Sequence, residues 1–150
     1  MEKLKGKELQ KKLVQTMREW QQTESDAITI TREIGDKTDN PLIRSVMVTM
    51  NSDSARHRSV QQLIIDSLEK EPITIDTDDM EAIWTMIEKH IELEQKMLSS
   101  VEEMLESLKG QKALAIQRYL LEYLRQDEKK HETMLDNLRA VKDGMYPYGG

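Results

Sequence analysis

The sequence predicts an all-α protein, an antiparallel bundle of four helices, and three observations carry that prediction. Glu, Lys, Leu, Met and Gln are abundant, against six glycines and three prolines, a composition that favours helix. Four stretches of roughly 30 residues repeat apolar side chains at the 3.6-residue period of one helix face. Residues that start and stop helices stand between them.

The first stretch runs from about Lys3 to Ile34, through Leu9, Leu13, Met17, Trp20, Ala27, Ile28 and Ile34, and Gly35-Asp36 ends it. Asn40-Pro41 then reads as a helix start, with the Asn oxygen free to cap and Pro at the first helical position. The second helix carries Ile43, Val46, Met47, Met50, Val60, Ile64 and Leu68, and stops before Pro72. "EPITIDTDD" follows, extended in character, with Ile73 and Ile75 alternating against polar neighbours. Between Leu68 and Met80 about 11 residues reach about 36 Å, close to the roughly 38 Å that a crossover along the bundle needs. An extended crossover between helices two and three is therefore expected, with Ile73 and Ile75 against the bundle. Asp78 with Glu81 resembles a capping box at the start of helix three. That helix continues through Ile83, Ile87, Ile91, Met97, Leu98, Val101, Leu105 and Leu108 to Gly110. The fourth runs from about Gln111 to Lys142 and ends at Gly144, and the tail, residues 144–150, is too short and turn-rich for an element.

Residues 1–150 suit a single domain with its own core. With no cysteine there are no disulfides, no thiolate zinc site and no iron–sulfur cluster, and no haem is expected. Ten methionines and no phenylalanine make a Met-rich core the expected filling. No apolar run approaches a membrane span and the charged N-terminus lacks a signal-peptide core, so the cytoplasm is the expected compartment. A net charge of −6, with no basic patch among aromatics, argues against a nucleic-acid partner. No Gly-rich phosphate loop and no Ser/His/Asp arrangement stands out.

Each helix breaks its apolar stripe near the middle. The rhythm puts Glu24 inside in helix one, Asp53, Ser54 and His57 in helix two, His90 and Glu94 in helix three, and Asp127, Glu128 and His131 in helix four. All three histidines of the chain are among them. Clustered carboxylates repel unless they take up protons, and a bound dication removes that penalty, so a metal site is the economical reading. "MNSDSARHRSVQQL" and "LRQDEKKHETMLDNL" also share an Asp, a base and a His in the same order, which marks an internal duplication of a helix hairpin. Glu24 precedes His57 by 33 residues, and Glu94 precedes His131 by 37.

On these residues the chain resembles the ferritin-like superfamily, nearest to rubrerythrin-type di-iron carboxylate domains, from about residue 5 to 142. The resemblance implies a Glu from each of helices one and three and Glu-x-x-His from each of helices two and four. Glu24, Glu94, Glu128 and His131 match, as does His57. "DEKKH" also fits the longer Asp-Glu-x-x-His form, which implies that Asp127, and likewise Asp53, orients its histidine from behind. "DSARH" departs from the motif, with Ser54 where the family has its metal-bridging Glu. Asp53, one turn before His57, and His90, one turn before Glu94, are the residues placed to compensate.

Three functions fit. In the first, Glu24, His57, Glu94, Glu128 and His131 hold iron, or else manganese or zinc, in a rubrerythrin-like non-haem oxidoreductase or peroxidase acting on oxygen or peroxide. Without cysteines such an enzyme takes its electrons from an external donor. In the second, the protein handles iron without turnover. In the third, a metal-free bundle pairs its inward acids with Arg56, Lys130 or the histidines in a structural or interaction role. The resemblance further implies a homodimer.

Overall fold

The computed structural model describes residues 6–145, and among them are four long helices and no strand. They are α1 (Gly6–Asp36), α2 (Pro41–Glu69), α3 (Thr77–Ser107) and α4 (Ala115–Met145), with a single 3₁₀ turn, Lys112–Leu114, before the last. The all-α, four-helix class expected from the sequence is the class observed. The expected start at Lys3 and most of the expected tail lie outside the described residues. The chain divides between Ile73 and Thr74 into two compact units, each an antiparallel helical hairpin.

In the α1–α2 hairpin, Arg18 reaches Glu69, Gln21 reaches Gln62, and Ile28 meets Asn51, a pairing that descends one helix as it climbs the other. Among the covered positions of α1 a series runs through Val14, Met17, Gln21, Glu24, Ile28, Thr31 and Gly35, alternately three and four apart, with Thr16, Ser25 and Ala27 half-buried beside it. That is the heptad spacing of a coiled-coil seam. On α2 the seam takes Met47, Asn51, Ser54, Gln61, Ile65 and Leu68. Met17 and Ile65 are its best-buried apolar residues. Each contributes about 1.5–3 kcal/mol by leaving water. The broad apolar stripe expected to face inward is only partly used, since Leu9, Leu13, Trp20, Ile34, Ile43, Met50 and Val60 are exposed. A two-helix seam covers a narrower arc than a globular core does, so one edge of the stripe meets the partner helix of the hairpin and the rest turns away from that helix.

The α3–α4 hairpin repeats this plan. Met80, Trp84, Ile87, Ile91, Glu94, Leu98, Val101 and Leu105 form an unbroken heptad series on α3. Met80, Ile91, Leu98 and Val101 are buried. At the open end the Trp84 ring lies under Lys142, 4.8 Å from its Nζ, and Arg139, 5.8 Å from its guanidinium carbon. At the closed end α3 stops at Ser107, and Gly110 turns the chain with φ 77°, a conformation costly for any residue with a Cβ.

Two helix starts test the local reading. Asn40 Oδ1 accepts from the backbone N–H groups of Leu42 at 2.9 Å and Ile43 at 3.1 Å, with Pro41 at the first position, as expected. Helix three, in contrast, is capped by Asp76 rather than Asp78. Asp76 Oδ1 accepts from Asp78 N–H at 2.9 Å and Asp79 N–H at 3.1 Å. The aspartate furthest upstream reaches the free amides first, and Asp78 and Asp79 become first-turn charges beside the positive end of the helix dipole. Helix three thereby gains three residues and the connection shortens to residues 70–76, without helix or strand. Ile75, just before the cap, is half-buried, whereas Ile73 is exposed rather than packed. Asp76→Ala should cost about 0.5–2 kcal/mol by urea unfolding, and Asp78→Ala only a dipole contribution of about 0.3–1 kcal/mol. A larger loss at Asp78 would put the cap back there.

Candidate metal centre

Each hairpin sets a seam glutamate opposite a histidine of the other helix. Glu24 Oε1 lies 3.3 Å from His57 Nδ1, and Glu94 Oε2 lies 3.3 Å from His131 Nδ1. The duplication seen in the sequence is thus a repeated geometry. What surrounds the two pairs differs. Three residues before His131 stands Glu128, whose Oε2 lies 4.0 Å from His131 Nδ1. Three residues before His57 stands Ser54. Glu94, Glu128 and His131 each offer one donor atom within 4.8 Å of the others, and all three are half-buried.

Burial follows from the seam. Glu94 stands between Ile91 and Leu98, both buried, and its side chain is 11% exposed. A carboxylate in that position must be paired. A hydrogen bond from Glu128 holds the Glu94 carboxyl below its usual range, helped by His131 and His90 and opposed by burial. The same hydrogen bond raises Glu128, with burial and the Glu94 charge adding to it. Glu94 and Glu128 are therefore a coupled pair of acids, in which Glu128 takes up a proton more readily than an ordinary glutamate and Glu94 less readily, since two neighbouring acids ionise together at a cost. A divalent ion removes that cost. Two carboxylates and an imidazole suit Fe(II), Mn(II) or Zn(II), and three protein donors leave coordination positions open.

The other expected residues fall around this core. Asp127 Oδ2 lies 3.6 Å from His131 Nε2, the nitrogen turned away from the carboxylates, and Asp127 Oδ1 pairs with Lys130 Nζ at 3.0 Å. His90 Nε2 lies 2.9 Å from Glu94 Oε1, the oxygen other than the one beside His131. In the other hairpin Asp53 is exposed, and the His57 side chain is 60% exposed. That hairpin offers one carboxylate and one imidazole, with the Ser54 hydroxyl where a bridging carboxylate would stand.

The Rubrerythrin family model matches residues 17–139, most of the chain. The chain belongs to the rubrerythrin family. Comparison with curated proteins and with solved structures returned no match. The family is a ferritin-like one of di-iron carboxylate proteins, and the matched stretch contains Glu24, His57, Glu94, Glu128 and His131.

The inward-stripe reading missed a polar seam in the α1–α2 hairpin. Asn51 Nδ2 donates to the Ile28 carbonyl at 2.9 Å and to Thr31 Oγ1 at 3.0 Å, and Thr31 Oγ1 in turn donates to the Ala27 carbonyl at 2.9 Å. A stripe drawn through Met50 places its neighbour Asn51 off the packed face. Heptad spacing back from Ile65 through Gln61 and Ser54 finds Asn51 instead, half-buried, and an asparagine hydrogen-bonded across a seam helps to fix the register of two helices.

Proposed function

We propose that this rubrerythrin-family protein is a non-haem metal protein that holds one iron or manganese ion on Glu94, Glu128 and His131 and acts on oxygen or peroxide. The observation that supports this most is the pair of acids Glu94 and Glu128 beside His131 Nδ1, with donor atoms of all three within 4.8 Å of one another, an arrangement whose repulsion a dication relieves. Bound there, such an ion supplies redox chemistry toward a small oxidant at its open positions. Glu94 and Glu128 supply charge, His131 supplies nitrogen, and Asp127 behind His131 fixes the ring so that Nδ1 faces the carboxylates. Glu24 and His57 are the weaker pair, placed for a second ion.

The matched stretch spans both hairpins, which supports reading residues 1–150 as one ferritin-like domain. The proposal includes an external electron donor, because the chain has no cysteine for a redox cluster of its own. It also includes a homodimer and a cytoplasmic setting. No helix among the described residues is long and apolar enough to cross a membrane. Ser54 favours a second reading, iron handling without turnover, since a lost bridging carboxylate removes a ligand that two-metal chemistry uses.

Peroxide consumption by iron-loaded protein with a chemical reductant separates the two readings. The enzyme reading expects catalytic loss of peroxide that falls roughly 100-fold or more in His131→Ala. Two Fe(II) ions supply the two electrons that reduce one peroxide to water, so loss of no more than one peroxide per two bound irons, with the metal still held, would favour iron handling.

A further inference from the structure

We infer that His90 is a positioning residue, which fixes the Glu94 carboxylate through one oxygen so that the other is presented to a metal ion. This rests on the reading of Glu94, Glu128 and His131 as ligands and deepens it. The two oxygens of Glu94 face different partners. Oε1 is 2.9 Å from His90 Nε2, one helical turn earlier on α3, while Oε2 is 3.3 Å from His131 Nδ1 on α4. A glutamate free at both oxygens rotates about its last bond and can chelate an ion through both. Held at Oε1, it presents Oε2 toward His131.

His90 itself is outside the donor cluster, which comprises Glu94, Glu128 and His131. Its side chain is 59% exposed, so it belongs to the outer side of the site and not to the packing of the seam. The α1–α2 hairpin lacks the device. One turn before Glu24 stands Trp20, an exposed residue with no imidazole to offer, and its indole N–H makes no hydrogen bond to Glu24. The geometry therefore makes the α3–α4 half the firmer of the two for two separate reasons, the carboxylate of Glu128 and the imidazole of His90.

The test is calorimetric titration of metal-free full-length protein with Co(II), on the wild type, His90→Ala and His90→Gln. Gln carries an amide nitrogen near the place of the histidine Nε2 and has no ring nitrogen to bind a metal. His90→Ala should bind Co(II) roughly 10–100-fold more weakly, the usual cost of losing a group that orients a ligand, and His90→Gln should recover most of that loss. His90 is exposed, so the metal-free variants should keep the wild-type circular dichroism and melting curve. Unchanged affinity in His90→Ala would overturn the inference. So would His90→Gln binding as poorly as His90→Ala, because that result makes His90 a ligand. A wild type that takes up no Co(II), Fe(II) or Mn(II) would instead overturn the metal reading, and this inference with it.

Discussion

Adding Fe(II) or Mn(II) anaerobically to the metal-free protein raises its melting temperature, and Glu128→Ala removes most of the rise. Glu94 and Glu128 lie close enough in the metal-free protein to shift each other's ionisation in opposite directions, Glu94 down and Glu128 up. A dication binds the folded pair and has no comparable site in the unfolded chain, so its binding free energy appears as stability. At roughly 100 times its Kd an ion adds about 2.7 kcal/mol, or roughly 5–10 °C for a chain of this length. Glu128→Gln sharpens the test. A neutral amide removes the repulsion between the two acids and can donate to Glu94, so the metal-free melting temperature should hold while the response to metal falls. Superimposable melting curves with and without either metal, over a wide concentration range, would point to the metal-free structural role.

Ser54→Glu should raise the metal content from near one ion per chain toward two. The two hairpins share a Glu–His distance of 3.3 Å and differ at the position three residues before the histidine. A glutamate at position 54 stands to His57 as Glu128 stands to His131, and Ser54 is half-buried on the seam, so the new carboxylate starts from the packed side of α2. The added volume costs about 1–3 kcal/mol if the seam cannot open to admit it. That penalty is visible as a lower melting temperature without metal and is reversed by loading. His131→Ala should move the count the other way, toward zero, because it removes the sole nitrogen donor of the stronger cluster. The measurement is metal stoichiometry by mass spectrometry after anaerobic iron loading. Two tightly held ions in the wild type would mean that the α1–α2 hairpin completes its set without a carboxylate at position 54.

Helix content, the Asn40 cap, the turn at Gly110 and the family all followed from local rules. A side chain capping its own helix, a glycine in a left-handed turn and a short ligand motif act within a few residues, and sequence order alone brings those residues together. The candidate donors were legible for a related reason. A carboxylate on an apolar stripe violates the pattern around it, and the violation shows without knowledge of the partner helix.

Other features needed the tertiary structure. Three aspartates compete for one cap at positions 76, 78 and 79, and only the path of the backbone chose Asp76. Which edge of each apolar stripe is covered depends on the helix that arrives opposite, which is why Asn51 is pinned in the seam while Met50 is exposed. The coupling of Glu94 to Glu128, and the approach of His90 to one oxygen of Glu94, depend on distances of a few ångströms between side chains. Helical periodicity fixes the direction of a residue to within one face. It does not fix the rotation of a carboxylate about its last bond, and that rotation decides which oxygen a metal would meet.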